Sequence, residues 1–443
     1  MNMLNKFRKF ILLAGDLLGL NLALYLTIAL RYPRSDWAAM WTRHWRYFSI
    51  VFIIWLMVLY INDFYNLNLK PQGRIFFQKL ISAIILSGGL SILYFYLNTN
   101  TSLTPKTNLL IFLGVFSLIF LFWRWTYQGL IHSFIPKNNL AIIGFNQKTE
   151  KIIAALQNNP GSGYQAALIF KTPEEVASLA ERIHDKSIHT IVICDDFGLN
   201  QELREVLLGC LSLNITFFNY PDFYELLTDK IPVEEIGPSW FLENLKEGGK
   251  NYYNFIKQTI DIILAALIFI VTLIIWPLIA LVIKLESRGP IFFRQVRLGR
   301  NEKPFKIIKF RTMRTENNDQ SRTVEGDKRI TRFGSFLRKT RLDEIPQVLN
   351  ILRGDMSFIG PRPERPEIIA DLEKLIPFYK TRLLIKPGLT GWDQVSGHYH
   401  SSTAEDSLEK LQYDLYYLKQ RSLFLDLNIA LKTVATMLSR EGR

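Results

Sequence analysis

The chain has 443 residues, of which 49% are apolar and 21% charged, and a formal net charge of +13. That length calls for more than one domain, and the apolar content excludes a disordered or collagen-like chain. Two cysteines, Cys194 and Cys210, exclude a disulfide scaffold, cannot alone complete a four-ligand zinc site, and suit a reducing compartment.

The positive charge is unevenly placed. Residues 1–135 carry 12 Lys+Arg against 3 Asp+Glu, mostly at the edges of apolar runs, a pattern of membrane proteins, so no nucleic-acid partner is expected. Four such runs, Phe10 to Leu30, Tyr47 to Phe64, Ile75 to Leu97 and Leu109 to Ile131, each approach the roughly 20 residues that cross a hydrocarbon core. Trp45, Tyr47, Tyr65 and Trp125 crowd their ends, as interfacial aromatics do. Residues 1–135 therefore read as a four-helix transmembrane bundle; loop charges weakly favour a cytoplasmic location for both its ends. The first run is too long for a secretory signal, contains Asp16 and lacks a small-residue cleavage pattern.

Residues 136–248 read as a Rossmann-like α/β domain in the cytoplasm. Short strands at Leu140 to Gly144, Ala166 to Phe170 and Thr190 to Cys194 alternate with helical spacing such as Thr149 to Gln157. The first turn, Gly144-Phe145-Asn146, keeps one glycine of the dinucleotide fingerprint, which disfavours nicotinamide binding and leaves a regulatory or structural role.

A third domain, 249–443, opens with a fifth apolar run, Ile260 to Ile283, lying between Lys257 and Lys284 and interrupted at Trp276-Pro277. Proline removes a backbone donor and bends a helix, and cations at both ends suit a hairpin returning to one face, so a re-entrant helix over 257–284 is favoured over a full crossing. Residues 284–341 then carry 17 Lys+Arg against 6 Asp+Glu. In the strand pattern of Phe305 to Arg311, period two sets Lys309 and Arg311 on one face, where two cations invite an anion. Arg288, Arg294, Arg297 and Arg300 fit lipid headgroups at least as well as substrate.

Pro346 sets the acid pair Asp343-Glu344 at the start of a helix that Gly354 closes. Carboxylates preceded by Arg338 and Arg341, beside a membrane, suit metal-assisted phosphate chemistry; alone, the pair would be equally good as a helix cap. Arg362, between Pro361 and Pro363, is presented on a restricted backbone that suits bidentate phosphate binding. Near the C-terminus, Leu408, Leu411, Leu415 and Leu418 form a core-like helical stripe, and Leu427, Leu431, Val434 and Leu438 a second that suits a membrane interface.

Four motifs together, KFRTM at Lys309 to Met313, LDEIPQ at Leu342 to Gln347, GDMSFIGPRP at Gly354 to Pro363 and KPGLTGW at Lys386 to Trp392, resemble the bacterial sugar transferases, the monotopic-type polyprenyl-phosphate phosphoglycosyl transferases. The resemblance covers about Asn251 to Leu438 and, with four N-terminal spans and a degenerate Rossmann-like domain, extends to the long form of the family. It implies transfer of a sugar 1-phosphate, a hexose by family habit, from a UDP-sugar to undecaprenyl phosphate at the bacterial inner membrane, with the catalytic domain cytoplasmic. Asp343 would be the nucleophile and Glu344 the ligand of Mg²⁺. Lys309, Arg311 and Arg338 would contact phosphates, Arg362 the nucleotide side, and Trp276-Pro277 would match the family's helix break. The sequence departs from the family at Asp393 and His398, where alanine and arginine are usual, which leaves the sugar open. The rival readings are a membrane-anchored nucleotide-sugar dehydrogenase or epimerase and a non-catalytic polysaccharide-export scaffold. A homo-oligomer is possible in any of these cases.

Overall fold

The structure is a computed structural model that describes residues 3–67, 69, 73–98, 105–134, 137–172, 175, 179–195, 201–210, 215–245, 248–314, 327, 329–396 and 403–439. The chain divides into two compact units, Met1–Thr228 and Asp229–Arg443.

The first unit begins with four long helices, α1 Met3–Arg31, α2 Trp37–Ile61, α3 Arg74–Leu97 and α4 Pro105–Phe134. Their shared core is aromatic: Trp55 meets Phe112 and Phe116 edge-on, and Phe120 packs against Phe64. Leucine and isoleucine side chains such as Leu18, Ile85 and Leu110 point outward, so these helices are apolar all round, as membrane helices are. Asp16 and Arg124, both inside this core, pair at 2.6 Å, since a charge held away from water needs a counter-charge.

A four-stranded parallel sheet follows, with β1 Asn138–Ile143, β2 Tyr164–Phe170, β3 Ile188–Ile193 and β4 Thr216–Asn219 in the order β2-β1-β3-β4. Between them run α5 Gln147–Asn158, α6 Leu179–Asp185 and α7 Gln201–Cys210, and α8 Tyr220–Thr228 closes the unit. Gly144 has φ +103, and a Cβ there would sit 2.5 Å from that of Asp195. The first amides of α5 are taken by Asn146, whose side chain accepts from Lys148 N and Thr149 N. The donors that a pyrophosphate would need at that helix start are thus already used within the turn.

The second unit opens with a short helix, α9 Pro238–Asn244, then α10 Asn251–Leu273 and α11 Trp276–Glu286. The break falls at Ile274-Ile275, and Pro277 lies in the first turn of α11, where its missing N–H leaves no intrahelical bond unmade. An antiparallel hairpin, β5 Phe292–Leu298 with β6 Pro304–Phe310, lies against both helices. Ala265 of α10 joins Ile307, Val348 and Met356 in one cluster; Ile279 and Ile283 of α11 join Phe310 and Leu337 in another; Trp276 touches both. The main core gathers Ile231, Val233, Ile359, Tyr379 and Ile429 with the stripe Leu411, Leu415 and Leu418. Here α14 is Pro366–Leu375, α16 Ala404–Gln420 and α17 Leu423–Ser439, with α12 Arg332–Lys339, α13 Val348–Leu352 and α15 Trp392–Ser396 completing the series. Along α17, Phe424, Leu427, Val434 and Met437 remain exposed. Among the described residues, five helices are long and apolar enough to cross a membrane: α1 to α4 and α10.

Candidate active site

The acid pair sits on a tight 3-10 turn, Leu342–Gln347, that runs directly into α13. An α-helical start was expected; the turn is wound tighter, entered from Arg341 at φ +57, a left-handed conformation that costs a non-glycine residue about 1 kcal/mol or more. Gly354, at φ +83, closes the segment as the sequence indicates, its N–H donating to Ile351 O at 2.9 Å.

Asn350, fully buried, fastens this segment to β6. Its Oδ1 accepts from Ile308 N at 3.1 Å and its Nδ2 donates to Lys306 O at 2.8 Å, so one side chain serves as a strand partner for β6. Sequence reasoning passed over Asn350 because an asparagine inside a helical pattern carries no signal of its distant partner. The outcome is that Lys309, next along β6, meets the acid pair: Lys309 Nζ lies 2.6 Å from Glu344 Oε1, and Arg362 Nη2 lies 3.8 Å from the same oxygen.

The two carboxyls differ sharply. Burial alone would raise Glu344, but Lys309 and Arg362 outweigh it and hold it down to about 2. Asp343 is shifted the other way, first by burial and then by the charge of Glu344, against the pull of Lys309, Arg338 and Arg341. Its Oδ1 is buried and accepts no hydrogen bond from the described residues. One acid is a fixed anion and its neighbour a desolvated oxygen with no partner among the described residues, the pairing of environments that separates roles in phosphate and acyl chemistry.

The cations sort less simply than period two implies. Lys309 and Arg362 face the acid pair, and Arg338 is close enough to act on Asp343, its Nε donating to Thr312 Oγ1 at 2.8 Å. Arg311 does not join them. The strand ends at Phe310, and the buried Arg311 guanidinium donates to Ser287 O at 2.6 Å and Arg288 O at 2.8 Å, capping the carbonyl end of α11. A helix C-terminus offers unpaired carbonyls and a negative dipole, so it holds this arginine in place of a phosphate. Arg297 likewise turns inward, to Pro363 O and Gln295 Oε1, in place of a headgroup. His398 and His400 lie outside the described residues.

The two glycine-rich motifs cross backbone to backbone. β7 Ser357–Ile359 and β8 Gly388–Thr390 pair in parallel, and a Cβ on Gly388 would lie 2.2 Å from Gly360 N. Glycine is required there because the chains approach to within a peptide thickness. This crossing carries Arg362 toward Glu344.

No group of three His, Cys, Asp or Glu gathers among the described residues, so no all-protein metal cage is present there. Magnesium commonly takes one or two carboxylates and completes its shell with substrate phosphates and water. The orphaned Asp343 Oδ1 beside the ionised Glu344 fits that mode.

Residues 252–440 match the family described as bacterial sugar transferase. A UDP-glucose:undecaprenyl-phosphate glucose-1-phosphate transferase of Xanthomonas campestris pv. campestris is 34% identical over 333 residues, 69% of this chain and 68% of that one. One of the same description from Caulobacter vibrioides is 40% identical over 47% of this chain and 80% of its own length. A UDP-N-acetylgalactosamine-undecaprenyl-phosphate N-acetylgalactosaminephosphotransferase of Aeromonas hydrophila is 36% identical over 56% of this chain, which spans 58% of that protein. With this similarity and the four motifs folded into one site, the chain belongs to the bacterial sugar transferase family.

Proposed function

We propose that this protein is a membrane enzyme that moves a hexose 1-phosphate from a UDP-sugar to undecaprenyl phosphate, releasing UMP. The observation that carries this reading is the split acid pair: Asp343, desolvated with an unpartnered oxygen, beside Glu344, ionised between Lys309 and Arg362. Relatives that share the segment act, by their names, on UDP-glucose or UDP-N-acetylgalactosamine and undecaprenyl phosphate.

In the first half, a carboxylate oxygen of Asp343 attacks the β-phosphorus of the UDP-sugar. The bond from that phosphorus to the oxygen bridging the two phosphates breaks, UMP leaves, and the sugar phosphate stays on Asp343 as an acyl phosphate. In the second half, an oxygen of undecaprenyl phosphate attacks the same phosphorus and the Asp343 carboxylate is released, giving undecaprenyl diphosphate sugar. Lys309 and Arg338 flank the reacting phosphate and Arg362 the departing nucleotide, spreading the charge that develops on the oxygens. Glu344 would hold Mg²⁺, which when bound neutralises the diphosphate. Lys309 trades its contact with Glu344 for one with phosphate when substrate enters.

The same reading seats the catalytic unit on the cytoplasmic face of the inner membrane by a re-entrant helix pair. Asp261 of α10 accepts from Phe358 N at 3.3 Å, and Glu286 of α11 accepts from Phe333 N at 3.1 Å. A straight helix between positions 261 and 286 would separate them by about 38 Å, more than the roughly 30 Å hydrocarbon core. Both carboxylates instead bind backbone of one compact unit, which supports a bent pair entering and leaving on one side. The exposed Ile263, Leu267, Ile270, Ile274 and Leu278 supply the surface for lipid. The sequence rivals gain nothing comparable: the first turn of the parallel sheet caps itself through Asn146.

The test uses purified full-length protein in lipid nanodiscs with UDP-sugars labelled in the sugar. UMP release should require undecaprenyl phosphate for repeated turnover, and acid-quenched protein should retain one labelled phosphosugar. An Asp343→Asn variant with substantial transfer would overturn the assignment.

A further inference from the structure

Arg362 stands on a segment, 361–364, whose four successive carbonyls are all engaged from other parts of the unit. Gly388 N donates to Pro361 O at 2.9 Å, Arg382 Nη2 to Arg362 O at 3.2 Å, Arg297 Nη1 to Pro363 O at 3.1 Å, and Leu298 N to Glu364 O at 3.1 Å. Pro361 and Pro363 have no N–H, so this stretch cannot enter a regular ladder, and its carbonyls need donors brought from elsewhere. Two of the four donors are guanidinium groups.

Arg382 is itself fixed on every side. It is 2% exposed, lies 2.7 Å from Asp414 Oδ2 and 3.0 Å from Glu364 Oε1, and donates to Tyr379 OH at 2.8 Å. Tyr379 OH in turn donates to Glu364 Oε2 at 3.1 Å. Arg297 is steadied by Gln295, whose Oε1 accepts from Nη2 at 2.7 Å. A charge network of this size is expensive to bury where only packing is needed, since apolar residues of similar volume often serve equally well. Its geometry converges on the backbone that carries one half-exposed side chain, Arg362, aimed at Glu344.

We propose that Arg297 and Arg382 are positioning residues for Arg362: by holding the carbonyls of Pro363 and of Arg362 itself, they fix where the Arg362 guanidinium meets the nucleotide diphosphate. Neither touches substrate. The proposal rests on the transferase reading above and assigns these two side chains a task that the motif residues cannot perform for themselves. Preorganised donors act without rearrangement when substrate binds, whereas a mobile arginine must be ordered each time.

The experiment is a double-mutant cycle on UMP release by the full chain in nanodiscs. Arg297→Gln, at a partly exposed site, should raise KM for the UDP-sugar roughly tenfold, the scale of one charge-assisted hydrogen bond, with kcat changed far less. In an Arg362→Ala background the same change should move KM less than about twofold, because the group it positions is gone. Arg382→Lys should behave alike, and if that variant fails to fold, the Arg297 cycle decides alone. Equal KM factors in both backgrounds, or an Arg297→Gln enzyme indistinguishable from the parent, would overturn the positioning role. Absence of UMP release from the unmutated protein would instead refute the transferase reading.

Discussion

Replacing Glu344 by Gln tests the electrostatic frame of the site through stability. The pair Lys309–Glu344 is 2.6 Å apart with side chains 22% and 12% exposed, so solvent screening does not erase it. Lowering the carboxyl from 4.5 to about 2 corresponds, at 1.36 kcal/mol per unit, to about 3 kcal/mol of folded-state preference for the anion. Removing one partner of a buried pair independently costs about 3–5 kcal/mol, because the other charge is left unpaired. For a domain of this size that lowers Tm by about 6–20 °C. Because the folded value is depressed, this contribution is complete above about pH 4.5 and fades as pH falls toward 2. The assay is thermal unfolding in nanodiscs of the parent, Glu344→Gln, Lys309→Met and the double variant, at neutral and acid pH. The double variant has no buried charge to strand and should regain half or more of the Glu344→Gln loss. A Glu344→Gln protein that melts within about 2 °C of the parent, or a double variant equal to the sum of the singles, would refute the reasoning.

Asp343 should show the opposite sign. Burial, then the charge of Glu344, raises it above 3.8, so stability is lost as pH rises through the folded value and the carboxyl ionises. Asp343→Asn should therefore melt no lower than the parent at pH 7 while transfer falls by more than ~1,000-fold, and the acid limb of the parent's rate profile should lie above that of an ordinary aspartate. Asn350→Ala strands Ile308 N and Lys306 O and should cost about 3 kcal/mol, read as a lower melting temperature; an unchanged Tm would show that the strand partner is dispensable. Single cysteines placed at Tyr252 and Arg288 should both react with a membrane-impermeant thiol reagent from the cytoplasmic side in inverted vesicles; reaction from opposite sides would rule out the bent helix pair.

The sequence determined the parts whose signal is local. Runs of about twenty apolar residues specify membrane-length helices because a backbone in lipid must bond to itself, and α1 to α4 follow from that alone, while the fifth run, Ile260 to Ile283, is shared between α10 and α11. Alternating strands and helices specified a parallel sheet, and Gly354 specified where the acid-bearing segment ends, whereas the tight turn that opens it at Leu342, with Pro346 inside, was not legible. Asp343, Glu344, Lys309 and Arg362 were legible as candidates because adjacent acids among clustered cations are unusual in one stretch of chain. Which cation goes where was decided only by tertiary structure. Lys309 and Arg311 are two residues apart, yet one meets Glu344 and the other caps α11, because the carbonyl end of a helix from 25 residues earlier competes for the second guanidinium. Asn350 and Arg382 escaped notice, and Arg297 was read as fitting a headgroup, for the same reason: each binds backbone groups 20 to 66 positions distant, and every residue has a backbone, so no pattern of side chains along the chain can announce them.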